Sequence, residues 1–169
     1  MSTEYRSRWR HLPAWLLAVT LSACGSSATN TPATPSAEVP RITVWKSPSC
    51  GCCGKWVEHL KEAGFDVEVI DEKAMAPLKS HLGVPPDLAS CHTAQIAGYL
   101  IEGHVPAGDL HRLLRERPKL KGLAVPGMPI GSPGMEMGNR IDPYEVVAYL
   151  SDGQRWVYSR HSTPPDQTP

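Results

Sequence analysis

The cysteines of one short stretch are the residues of this sequence best suited to chemistry. Cys50, Cys52 and Cys53 fall within four residues, in the run SCGCCGKW at 49–56. A β-branched and aromatic segment precedes this run, and apolar residues at helical spacing follow it. We therefore predict that the three cysteines occupy a loop and the first turn of a helix. Unpaired backbone N–H groups and the helix dipole favour thiolate over thiol at that position.

The spacing of these cysteines leaves more than one chemistry open. Cys50 and Cys53 have the Cys-x-x-Cys spacing of a redox pair, and Cys52 is then a surplus thiol. A disulfide between the adjacent Cys52 and Cys53 would be strained, so pairing within the motif does not account for all three. A structural disulfide to the distant Cys91 stays an alternative. We favour soft-metal ligation or thiol–disulfide chemistry.

Further candidate ligands lie after residue 90. Cys91 and His92 are neighbours on a predicted strand, so their side chains should face opposite sides of it. We predict that Cys91, rather than His92, turns toward the first cysteine motif. His104, just before a Val-Pro pair, is a second candidate ligand. Two other histidines lie on predicted helix faces among charged residues and are expected to be solvated: His59 and His81.

Residues 126–138 (PGMPIGSPGMEMG) contain seven glycines and prolines, which excludes a helix or a central strand. We predict a shaped loop that carries Met128, Met135 and Met137. Methionine usually fills gaps in a core, but a Gly/Pro loop offers little core to fill. Thioethers and thiolates together select Cu(I). If this loop closes over the cysteine motif, its methionines would join the cysteines in one copper site.

The remaining pattern predicts an α/β fold. The expected order is β–α–β with a parallel pairing, a short second helix, a β-hairpin, a third helix and a closing β-hairpin. This order resembles the thioredoxin fold, whose active-site loop lies between the first strand and the first helix. The predicted elements are strands at 42–45, 66–70, 90–96, 99–102, 144–150 and 155–158, and helices from the cysteine motif to a cap at Gly64, at 75–82 and around Leu110, Leu113 and Leu114.

The first 23 residues have a basic start and a short apolar run, the pattern of an export signal. Leu21-Ser22-Ala23-Cys24 resembles the lipobox of bacterial lipoproteins, so Cys24 is predicted to carry a lipid anchor. Gly25 after it resembles the sorting pattern for the outer membrane. We expect a disordered tether at 24–40, a folded domain at 41–160 and a disordered tail at 161–169. Lys plus Arg and Asp plus Glu both total 17, which argues against nucleic-acid binding.

Three motifs in this order are similar to the CopG-type periplasmic copper-resistance proteins: CGCCGKW, SCHTAQIAGYLIEGHVPAGDL and GLAVPGMPIGSPGMEMG. The resemblance covers roughly residues 42–150. It implies a thioredoxin-like fold, a periplasmic location and binding of several copper ions with a change in their oxidation state. The implied copper ligands are Cys50, Cys52 and Cys53, and, less directly, Cys91, His104 and the loop methionines.

Our leading hypothesis is a periplasmic, lipid-anchored protein that binds Cu(I) in a thiolate-bridged cluster and interconverts Cu(I) and Cu(II). Its expected partners are copper ions and other periplasmic copper-handling proteins, and it meets the membrane only through the lipid anchor. The alternative is a metal-free thiol–disulfide oxidoreductase, with Cys50 as the nucleophile and Cys53 as the resolving cysteine. A third reading is a passive lipoprotein whose cysteines only cross-link the fold.

Overall fold

The computed structural model describes residues 40–162. The predicted export signal, the tether to residue 39, Cys24 and the tail from residue 163 lie outside the described residues.

Between residues 40 and 162 the chain forms seven strands, three α-helices and one 3₁₀ turn at Pro86–Leu88. The elements in order are β1 (Ile42–Lys46), α1 (Gly51–Glu62), β2 (Val67–Asp71), α2 (Met75–Leu82), β3 (His92–Ile96), β4 (Tyr99–Glu102), α3 (Ala107–Glu116), β5 (Gly122–Ala124), β6 (Tyr144–Tyr149) and β7 (Arg155–His161).

The strands form one mixed sheet in the order β2-β1-β3-β4-β5-β6-β7. The β1–β2 and β4–β5 pairs are parallel, and the other four pairs are antiparallel. The α/β class and the predicted order of β–α–β, hairpin and helix are therefore confirmed. Helix α1 leaves the carboxyl end of β1, so the cysteine motif lies at that end of the strand.

Helix α1 forms because its apolar residues recur on one face. Cys53, Trp56, Val57 and Leu60, the residues predicted to share that face, are all buried. Trp56, Val57 and Leu60 pack with residues of β1, β3 and α3 into the larger of the two hydrophobic clusters in residues 40–162. Burial of a side chain such as Leu60 contributes about 1.5–3 kcal/mol. The cysteine motif is thus fixed to a helix that the core holds in place.

Several strands differ from the sequence expectation. Strand β7 continues to His161, past its predicted end at residue 158 and into the predicted tail. Strand β5 was not predicted, because three residues are too few to show a period. Strand β2 was expected to be half-buried, but Val69 and Ile70 are 39% and 38% exposed. The reason is its position at the edge of the sheet, where only β1 pairs with it.

Within residues 40–162, none of the helices combines the length and the hydrophobicity that crossing a lipid bilayer requires.

Candidate metal centre

The cysteine motif occupies the start of helix α1, as the sequence predicts. Cys50 is the residue that precedes the first helical turn, with an extended backbone (φ −79°, ψ 96°), and its amide donates to the Ser47 carbonyl oxygen. Cys52 and Cys53 lie within the first turn. The motif therefore lies at the positive end of the helix dipole, where the backbone leaves unpaired N–H groups.

Cys50 and Cys53 form a disulfide, with their Cα atoms 5.4 Å apart. Cys52 and Cys91 form no disulfide within the described residues. The Cys52 sulfur lies 3.5 Å from that of Cys50, and all four sulfurs lie within 4.8 Å of one another. The structure thus brings Cys91 to the cysteine motif and shows the Cys-x-x-Cys pair in its oxidised state.

Cys91 also contacts two imidazoles. Its sulfur lies 3.3 Å from Nδ1 of His92 and 3.1 Å from Nε2 of His104. The three side chains form a second group whose ligand atoms lie within 4.8 Å of one another. Burial raises the pKa of the Cys91 thiol to about 11, and the neighbouring Cys52 adds to this effect. Cys91 is therefore a thiol at neutral pH, and a metal ion would have to displace its proton.

The expectation that His92 faces away from Cys91 is wrong. Strand β3 begins only at His92, so the alternation of side chains along a strand does not apply to Cys91. His92 is fully buried, and its ring lies 4.2 Å from that of Trp56. Its Nε2 has no hydrogen-bond partner among the described residues. Burial, together with His104 and Lys79, holds its pKa well below the ordinary value.

His104 is oriented by the methionine loop. Its Nδ1–H donates to the Pro133 carbonyl oxygen at 2.8 Å, so Nε2 carries the lone pair that faces Cys91. Burial lowers the pKa of His104, and the hydrogen bond to Pro133 partly offsets this effect. A neutral imidazole with its second nitrogen fixed by a carbonyl is the usual form of a metal-binding histidine.

The loop at 126–138 packs against the cysteine motif. A Cβ atom on Gly134 would lie 2.8 Å from the Cys52 carbonyl oxygen, so the two backbones are in direct contact. Met128 and Met137 point outward and are 53% and 62% exposed, whereas Met135 is partly buried. The loop therefore packs against the helix that carries the cysteines, and two of its three methionines face solvent.

His59 is not solvated as the sequence suggested. Its Nε2 accepts a hydrogen bond from the Ala107 amide at 3.1 Å, which links α1 to the first residue of α3. Burial lowers its pKa, and the charges of Glu136 and Glu62 oppose this shift. The contact joins residues 48 positions apart, and no local pattern would have indicated it. His81 is exposed, as expected.

The donor set fits a soft metal ion. Two kinds of group that can bind Cu(I), cysteine sulfur and neutral imidazole nitrogen, lie side by side at the end of β1. Two of the same sulfurs, those of Cys50 and Cys53, are joined as a disulfide, which is the oxidised state of a thiol pair. Fold and site together define a mixed α/β protein with a cysteine–histidine centre that is suited to soft-metal binding or thiol redox chemistry.

Comparisons with known proteins narrow this class. Residues 88–135 match a sequence family described as "Protein of unknown function, DUF411". A solved structure named "Copper resistance protein copG- Form 2" is 49% identical, with a TM-score of 0.71, over 74% of this chain and 100% of that chain. Form 1 of the same protein is 50% identical, with a TM-score of 0.70, over 73% and 98%. A search of curated proteins found no match.

This chain belongs to the CopG copper-resistance protein family. The resemblance noted in its sequence motifs is thereby confirmed.

Proposed function

We propose that this protein serves copper resistance by binding Cu(I) at the sulfurs of Cys50, Cys52, Cys53 and Cys91, with His104 as an adjoining ligand. The observation that carries the proposal is the clustering of these four sulfurs within 4.8 Å of one another. Such a cluster suits a soft, thiophilic ion. The names of the two similar structures, both copper resistance proteins, support the choice of copper.

The copper-binding form is the reduced one. Opening the Cys50–Cys53 disulfide takes two electrons and two protons and yields two thiols, which lose those protons when they bind metal. Copper is the cargo of this site. Because the four sulfurs are too close together for several separate sites, the thiolates would bridge neighbouring ions. Interconversion of Cu(I) and Cu(II) at this centre is part of the proposal: two Cu(II) ions would each take one electron from the Cys50 and Cys53 thiolates, which gives two Cu(I) ions and the disulfide.

Metal content of the reduced protein tests this function. The protein is isolated from copper-supplemented periplasm, and copper, zinc and free thiols are quantified before and after oxidation by diamide. We expect copper in the reduced form and its release when the Cys50–Cys53 disulfide forms. Zinc alone, or free thiols with no metal, would contradict the proposal.

A second candidate function is thiol–disulfide exchange without metal. The disulfide at the start of α1 favours it, as does the difference in access between its two sulfurs: Cys53 is fully buried, and Cys50 is partly exposed. That difference suits Cys50 as the attacking thiol and Cys53 as the resolving one. Reduction of insulin by the metal-free protein tests this activity.

We also propose that the mature protein is held at the periplasmic face of the outer membrane by acyl chains on Cys24. The support is the lipobox-like Leu21-Ser22-Ala23-Cys24 after a short apolar run. Cell fractionation tests the proposal: a Cys24→Ser variant should appear in the soluble periplasmic fraction. If it stays with the membranes as the parent does, the anchor is elsewhere.

A further inference from the structure

A buried ionic network lies directly behind the Cys91 side of the site. The Glu102 carboxylate is completely buried and pairs with Lys79 of α2, whose side chain is only 11% exposed. Lys79 also donates to the Thr93 hydroxyl at 2.8 Å, and that hydroxyl donates to Glu102 Oε2 at 2.7 Å. Each polar group of this network is thus satisfied by another member.

The network reaches the chain next to Cys91. The Ser90 amide donates to Glu102 Oε1 at 2.6 Å, although Ser90 precedes strand β3 and lies outside its ladder. The Ser90 hydroxyl donates to the Gly127 carbonyl oxygen at the start of the methionine loop. Ser90 therefore connects the buried carboxylate to both the Cys91 segment and that loop.

The turn at Gly103, between Glu102 and His104, is closely packed. Gly103 has φ +71°, and a Cβ atom on it would come within 2.5 Å of the Val125 carbonyl oxygen and 2.7 Å of the Ser90 hydroxyl oxygen. The Gly103 amide donates to the His92 carbonyl oxygen at 3.1 Å. The turn from Glu102 to His104 thus has little room to shift.

Each side chain of the Cys91–His92–His104 group lies within two residues of a member of the network. Ser90 precedes Cys91, Thr93 follows His92, and Glu102 stands two residues before His104. We propose that Glu102, held in place by Lys79, is the positioning residue that fixes Cys91 against the two imidazoles. It binds the backbone of the Cys91 segment and touches neither metal nor sulfur.

A buried ion pair is a costly way to hold a fold, because apolar residues of similar volume often replace such a pair without loss of stability. What apolar residues cannot supply is an acceptor for the Ser90 N–H. This inference rests on the proposed function only in treating Cys91 as a copper ligand. Its test uses no copper, so the positioning role of Glu102 and the proposed copper binding can fail independently.

Two double variants separate positioning from packing. Lys79→Met with Glu102→Gln removes both charges but keeps an amide oxygen for the Ser90 N–H, whereas Lys79→Met with Glu102→Leu removes that acceptor as well. Both proteins are reduced and treated with iodoacetamide, and the alkylation of each cysteine is followed by peptide mass spectrometry. Cys52 serves as the internal reference, and melting temperature reports the stability of each variant.

We expect the ratio of Cys91 to Cys52 alkylation to rise about tenfold in the Leu variant, the effect of losing one buried hydrogen bond, and to stay at the parent value in the Gln variant. Equal ratios in the two variants would overturn the proposal, as would a general rise at all four cysteines. Hydrogen exchange in the unmutated protein gives a test that needs no variant: the Ser90 amide should be strongly protected, and free exchange there would equally overturn it.

Discussion

Gly134 lies so close to helix α1 that a Cβ atom on it would stand 2.8 Å from the Trp56 backbone nitrogen. This contact seats the methionine loop on the helix that carries three cysteines. The preceding residue, Pro133, accepts the hydrogen bond that orients His104. The position of the loop and the orientation of the imidazole are therefore coupled.

We predict that Gly134→Ala weakens copper binding. The added methyl group would push the loop from α1 and draw the Pro133 carbonyl away from His104. Gly138→Ala is the matched control, since Gly138 also has a positive φ (+60°) but an added Cβ would have no atom of the described residues beyond its chain neighbours within 4 Å. Alanine at a left-handed backbone position destabilises both variants by about 1–2 kcal/mol. Only Gly134→Ala should lower the affinity for Cu(I), measured by competition with a chelator. Equal affinities would contradict the coupling.

We predict that Cys52→Ser separates the two candidate functions. The variant keeps the Cys50–Cys53 pair, so any insulin reduction by that pair should persist. Its copper content in the reduced state should fall, because one of four clustered sulfurs is gone. Cys53→Ser serves as the comparison and should lose both properties. If Cys52→Ser binds as much copper as the parent, Cys52 is not a ligand.

We predict that replacing Met128, Met135 and Met137 together by Leu lowers copper affinity while changing stability by less than about 1.5 kcal/mol per site. Acid protonates thiolates but leaves thioethers unchanged, so the triple variant should release its remaining copper at a higher pH than the parent. Titration of both proteins against a Cu(I) chelator measures this shift. Met75→Leu, outside the loop, is the control. Superimposable release curves would make the three methionines packing or surface residues.

We predict that acid weakens the fold partly through His59. Its pKa lies below the ordinary value of 6.5 in the folded protein, so the unfolded chain takes up the proton first as the pH falls. The stabilisation is complete above that ordinary value and is lost as the pH falls from there toward the folded pKa. His59→Gln does not titrate and keeps an acceptor for the Ala107 N–H.

Urea unfolding from pH 7.5 to pH 5 measures this effect. The free energy of unfolding should fall less steeply with acid in His59→Gln than in the parent. His92 and His104, whose pKa values are also lowered, contribute the same background to both proteins. Identical slopes for the variant and the parent would show that His59 contributes no measurable pH dependence.

The elements that carry the site were predictable because their signals are local. The apolar spacing of Cys53, Trp56 and Leu60 indicated a helix, and all three side chains are buried on it. The spacing of Cys50 and Cys53 indicated a redox pair, and the structure joins them. The helical spacing of apolar residues and the Cys-x-x-Cys spacing can both be recognised within a few neighbouring positions of the chain.

What the sequence could not show depends on contacts between distant segments. The Ala107 amide reaches His59 across 48 positions, and Lys79 reaches Glu102 across 23. The orientation of the His92 side chain depended on where β3 begins, which is one residue after Cys91. The boundaries of a strand are what a sequence pattern predicts least reliably. The predicted strand began at residue 90 and so included Cys91, whereas β3 begins at His92, and the alternation of side chains therefore did not apply to Cys91.

The two ends of β1 carry different features of the domain. The chain enters β1 at Ile42, and the sulfur cluster follows the opposite end of the strand, after Lys46. Five strand residues span about 16 Å. Any attachment through the residues before Ile42 therefore joins the folded domain at the end of β1 that is opposite to the sulfur cluster.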